Sequence, residues 1–264
     1  MTTERPPGSR APTGTGGAVP EHVGPLDGLK VIELSDPLCA WAGKLLADLG
    51  ADVVVVEPPG GSAQRGFEPF LDDVPGPERS LWWWQYNTSK SSVVIDRADP
   101  VGRSQLASLV HGADIVLAGE PLDRAALVDD DDRLITIAVS APPNSTDLTI
   151  LAEGGPVWSC GYDDHSLPPV RGGGNQALHT ASHWAVLSAL VCLLEREQSG
   201  HGQHVDVDAL CAVNVTTEVA TYGYLACGFE VQRQTGRHAG AVASMPTQMP
   251  CVDGRFVNAG IIAG

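Results

Sequence analysis

The stretch LKVIELSDPLCAWAGKLLADLGADVVVVE, residues 29 to 57, spells a strand, a helix and a second strand with the punctuation between them in place. Leu29 to Leu34 and Asp52 to Glu57 read as strands, and the unbroken β-branched run Val53 to Val56 suits a strand buried on both faces. Asp36 is placed to cap a helix that begins at Pro37, where a proline gives up no needed N–H, and Gly50 to end it in the left-handed conformation. Leu38, Leu45, Leu46 and Leu49 fall near helical spacing and form one apolar stripe. Two parallel strands joined by a helix predict an α/β fold, a Rossmann-like parallel sheet flanked by helices.

Open α/β sheets bind ligands outside the carboxyl ends of their strands, so the turn from Ser35 to Trp41 is the first place to look for function. Ser35, Asp36, Pro37 and Leu38 stand where a dinucleotide fingerprint needs glycines. NAD and flavin chemistry are disfavoured on that count.

The 264 residues are 43% hydrophobic and 18% charged, the balance of an ordinary globular chain. Thirty-two acidic against sixteen basic residues give a formal net charge of −16, which argues against nucleic acid and anionic membranes as partners. No apolar run of membrane-spanning length and no secretory leader is expected, which points to the cytoplasm. The six cysteines form no C-x-x-C pair and are expected to be reduced. If a phosphorylated ligand binds, Lys44, Lys90 and Arg97 are the early candidates to receive it.

Residues 1 to 24 are rich in Pro, Gly and Thr and read as a disordered tail. Pro58 to Arg79 reads as a long surface loop; Leu81 to Tyr86 places three tryptophans and a tyrosine beside the polar run Asn87 to Lys90, suiting a core edge, a cleft wall or a subunit contact alike. Further strands are expected at Val93 to Asp96, Asp114 to Leu117, Leu134 to Val139 and His204 to Val207, with helices from Asp99 to Leu109, Asp123 to Leu127, Gln176 to Glu197 and Asp208 to Ala226. Asp147 to Glu153 suits a helical turn within the loop from Ala141 to Gly174. The helix from Gln176 is apolar on most sides at first, at Leu178, Trp184, Leu187 and Leu190, and charged at its end, and should be central and largely buried. Neither the acidic run Asp129 to Asp132 nor the His179, His183 pair makes a metal site, since no spaced third ligand follows. A hairpin turning at Asp253 and Gly254 ends the readable pattern.

Four segments in order, PLDGLKVIEL, GKLLADLGADVVVVEPPGG, NTSKSSVVID and LLEREQSGHGQHVDVDAL, resemble the family III CoA-transferases, over roughly residues 25 to 255. The resemblance implies coenzyme A or an acyl-CoA as ligand; no metal and no NAD are expected, on the ligand spacing and the missing glycine fingerprint. It further implies a large domain, here 25 to 215, a second small domain begun at 216 to 264 and incomplete, and a dimer, either of two copies or with a full-length relative. It carries CoA contacts to Pro37, Leu38, Pro58, Asn87, Thr88, Ser89 and Lys90. The family nucleophile is an aspartate that attacks the acyl-CoA thioester; counting back from Glu197, its position here is Leu178. The departures at 118 to 123, where AGEPLD stands, and at Ala141, Pro142 and Pro143 accompany that loss. Two expectations compete: an enzyme using a displaced group, for which His179 and Asp147 are the catalytic candidates, or a non-catalytic CoA-binding half whose partner supplies the aspartate. Where the racemase branch of the family has an acid/base histidine, this chain has Thr146.

Overall fold

The computed structural model describes residues 24–122, 127, 131–237, 239–242 and 248–258. Six parallel strands form one sheet: β1 (Lys30–Leu34), β2 (Asp52–Glu57), β3 (Ser91–Val94), β4 (Ile115–Ala118), β5 (Ile135–Ser140) and β6 (His204–Asp208), in the order β3-β2-β1-β4-β5-β6. The order reverses between β1 and β4, so the switch point lies beside the turn that follows β1. Alternate strand residues feed two cores. Val31, Val53, Ile115, Leu117, Ile137 and Val139 pack on one face, and Ile32, Leu34, Val56, Val116 and Ala118 on the other.

The helices are α1 (Ala40–Asp48), α2 (Leu81–Asn87), α3 (Pro100–Val110), α4 (Asp147–Glu153), α5 (Gln176–Ser199), α6 (Ala209–Val215) and α7 (Glu218–Cys227). The first begins three residues later than Asp36 and Pro37 predict. The Asp36 carboxylate accepts the Leu38 N–H at 2.8 Å and its carbonyl accepts the Cys39 and Ala40 N–H groups, so residues 37–39 form a turn before regular helix starts. Gly50 has φ of 106° and ends the helix as expected. The tryptophan run forms a helix of its own, capped by the Ser80 hydroxyl on the Trp83 N–H at 3.0 Å. The helix expected from Asp208 to Ala226 is broken: the Thr216 and Thr217 hydroxyls donate to the Val213 and Asn214 carbonyls, both at 2.7 Å, and α6 stops there.

The central helix, α5, departs from the expectation of a largely buried helix. Ala177, Ala181, Ala185, Ala189 and Cys192 face the core, while Trp184 and Leu187 are 41% and 52% exposed, with Val191 and Leu194 beside them. Small residues at four-residue spacing let the helix lie close on the sheet and on α1, and the bulky stripe is left outside. By length and composition this helix is also apolar enough to cross a membrane, contrary to the sequence expectation; its packed alanine face is that of a core helix. Its far end is held by Arg196, which donates to Asp114 at 2.8 Å and to the Arg133 carbonyl at 3.1 Å. The hairpin is present as β7 (Gln248–Pro250) and β8 (Phe256–Asn258), with Gly254 at φ of 79°. The tail to residue 23, the helix expected over 123–126 and the first acidic residues, 129 and 130, lie outside the described residues.

Candidate functional site

At the switch point the turn after β1 faces the segment that leaves β5, and the amino end of α5 closes the space between them. The cleft holds about 560 Å³, within the range of small-molecule sites. Asp36, Pro37 and Leu38 form one wall, Ala141 to Asp147 another, and Phe67, Ile150 and Leu178 complete it. Gly119, just after β4, leaves the room that the Asp36 side chain occupies; a Cβ there would fall on its carboxyl. Burial raises the Asp36 pKa; the Leu38 N–H opposes that shift and Glu120 adds to it.

Leu178 lines this cleft at the position where the family resemblance puts the nucleophile. Its neighbour His179 does not face the same space. The His179 ring stacks on Trp41 with centroids 4.5 Å apart, and its Nε2 lies 2.6 Å from the Tyr86 hydroxyl. Tyr86 also accepts from Asn175 Nδ2 at 2.9 Å. Burial, then His183, lower the His179 pKa, which favours the neutral ring. Trp82 stacks on the far face of Tyr86 at 4.0 Å, and Phe67 meets Trp82 edge-on at 5.2 Å, which carries the aromatic row to the cleft wall.

Asp147 reaches the cleft but is fully engaged. One oxygen accepts the Ala177 N–H at 2.7 Å at the start of α5, and the other accepts from Arg171 at 2.9 Å. It anchors the amino end of α5. Thr146 caps α4 in a reciprocal pair with Thr149.

The expected CoA-contact residues divide. Pro37 and Leu38 line the cleft. Pro58 is exposed at the carboxyl end of β2, and Ser89 is exposed with φ of 65°. Thr88 accepts from Lys44 Nζ at 2.7 Å, and Lys44 is also paired with Asp48. Lys90, expected to receive a phosphate, lies inside the fold. Its side chain is 1% exposed, and its three N–H donors go to Glu33 at 2.7 Å, the Ala40 carbonyl at 2.8 Å and Asn87 Oδ1 at 3.1 Å. All three donors of this ammonium are thus engaged within the fold. Arg97 is paired with Glu120 at 2.6 Å.

Glu33 is the residue that sequence reading missed. It is wholly buried on β1, and its pKa is pushed up to about 7 by burial, against the pull of Lys90. Gly43 makes the pair possible, since a Cβ there would fall on Glu33 Oε2. Thus Lys90 ties β1, the start of α1 and α2 together behind the turn that forms the cleft wall. Burial, with Glu33 and Asp36 nearby, also raises the Cys39 thiol well above its usual range, so this cysteine of the turn is a core group and not a nucleophile. A second buried carboxylate, Glu57, accepts two bonds from Arg65 at 2.7 and 2.8 Å, pinning the loop after β2 by a 310 turn. Among the described residues no group of three metal-ligating side chains occurs.

Residues 26–263 match the model of CoA-transferase family III. The chain belongs to that family. Curated relatives include subunit BbsE of succinyl-CoA:(R)-benzylsuccinate CoA-transferase from Thauera aromatica, 32% identical over 85% of this chain, and succinate–glutarate CoA-transferase from Agrobacterium fabrum, 30% identical over 80%. This chain covers 57% of the length of each. Among solved structures, a CaiB/BaiF family protein from Brucella suis superposes with a TM-score of 0.75 at 30% identity, covering 81% of this chain and 61% of that one. Similar family III proteins are named as acting on CoA thioesters and carboxylic acids.

Proposed function

We propose that this chain is an acyl-CoA-binding member of the CoA-transferase family that does not itself carry the covalent nucleophile. The observation behind the reading is Leu178 on the wall of the switch-point cleft. Transfer through an acyl-enzyme requires a carboxylate that attacks the thioester carbonyl, releases CoA thiolate and holds the acyl group as an anhydride; a leucine has no lone pair with which to begin. The two groups named for a displaced mechanism do not supply one, because His179 is bonded to Tyr86 and stacked on Trp41, and both oxygens of Asp147 are taken. On this reading a partner chain, a second copy or a longer relative with the aspartate, completes the reaction. The exposed stripe Trp184, Leu187, Val191 and Leu194 on α5 supports a contact of that kind, and one relative is itself named as a subunit.

The test is to incubate the purified chain with acetyl-, succinyl- and formyl-CoA and carboxylate acceptors, trap with hydroxylamine, and map adducts by mass spectrometry. The wild type should give neither turnover nor adduct, and Leu178→Asp should give an adduct on the new aspartate. Turnover by the wild type alone would overturn the reading. Asp36 carries a second reading, as a carboxylate in the same cleft with its pKa raised; an adduct on Asp36 would favour it over the first.

A further inference from the structure

The charges around the cleft bear on which acyl group it accepts. Its apolar wall is made by Leu38, Phe67, Ile150 and Leu178, and Phe67 continues into the stacked rings of Trp82 and Tyr86 behind it. The only charged side chains on the lining are Asp36 and Asp147, and no lysine or arginine lines it among the described residues. The nearest cation by bonding, Arg171, gives its Nη1 to Asp147 and to the Gly174 carbonyl. A ligand with a second carboxylate would meet Asp36 without a countercharge, in surroundings where burial already penalises charge. An uncharged apolar group would instead displace water from Leu178 and Phe67.

We infer that the cleft takes the acyl portion of an acyl-CoA whose acyl group is apolar and uncharged, aryl or alkyl, in preference to one ending in a second carboxylate. The inference rests on the proposed acyl-CoA reading and specifies its substrate class. Leu178 then has a positive role: it supplies apolar surface to the acyl group at the place where the family resemblance puts a nucleophile. Phe67 is the specificity residue of the lining, being 37% exposed and backed by Trp82.

The experiment is calorimetric titration of the full chain with free CoA, phenylacetyl-CoA, butyryl-CoA and succinyl-CoA. Phenylacetyl-CoA should bind at least about tenfold more tightly than succinyl-CoA, the scale set by burying one apolar side group. Phe67→Ala should shrink that ratio severalfold, and Leu178→Lys, which adds a cation to the wall, should shift it toward succinyl-CoA; circular dichroism on both variants confirms that they fold. If CoA binds but the three thioesters bind alike, or succinyl-CoA binds best, the inference is wrong while the CoA reading stands. If the ratio survives both substitutions in folded protein, the acyl group sits elsewhere and the inference is again wrong. If neither CoA nor any thioester binds, the underlying reading and this inference fall together.

Discussion

Replacing Lys90 with methionine should produce a stability loss that grows with pH, because it removes the cation paired with Glu33, a fully buried carboxylate. In the wild type the Glu33 pKa is raised from 4.5 to about 7 even with Lys90 present. Between those values the unfolded chain has released the Glu33 proton and the folded chain has not, so stability falls as pH rises, and the fall ends once the folded carboxyl ionises. Without Lys90 that ionisation moves higher still, and the fall continues above pH 7. Each pH unit of continuation costs about 1.4 kcal/mol. The gap between wild type and Lys90→Met should therefore widen by about 3 kcal/mol from about pH 7 to about pH 9, consistent with the roughly 3–5 kcal/mol expected for breaking a buried pair. Urea melts at several pH values measure it directly. The double variant Glu33→Gln, Lys90→Met, which leaves no charge at this pair's position, should lose this alkaline pH dependence. A pH-independent gap, or one below about 1 kcal/mol at the alkaline end, would refute the argument that Lys90 serves Glu33.

Gly43→Ala should destabilise the fold by about 1–3 kcal/mol in denaturant melts, since its methyl group lands on Glu33 Oε2 in a closed interior. Arg65→Ala should cost about 3 kcal/mol near neutral pH by stranding Glu57, whose carboxyl the Arg65 bonds hold below the usual range. That stabilisation is present above the ordinary carboxylate pKa and is lost as pH falls through the depressed one, so the cost should fade in acid melts. Tyr86→Phe should cost about 1–2 kcal/mol by leaving His179 Nε2 and Asn175 Nδ2 without their shared partner, and should shift the His179 titration seen by NMR.

Much of the fold is determined locally, and so could be read from the sequence. The β-branched run Val53 to Val56, the Asp99-Pro100 helix start and the glycines at 50 and 200 impose their backbone states through sterics and hydrogen bonding within a few residues, and each appears as expected. The four ordered motifs carried the family. The inward side of α5 was not legible, because a hydrophobic scale favours Trp184 and Leu187, whereas the close approach of helix to sheet favours small residues, chiefly alanine. The role of Lys90 was hidden for a related reason. Its partner Glu33 lies 57 residues away, a charge inside an apolar strand with nothing nearby in sequence to pair it. Only parallel pairing of β1 with β2 and of β2 with β3 brings the two together, and only Gly43 leaves the space they fill. The sequence by itself pointed to the turn after β1 as the cleft wall and, through the family resemblance, to Leu178, which the structure puts on the lining. Tertiary structure decided which polar groups are free to meet a ligand, because a side chain's availability depends on partners that distant parts of the chain deliver.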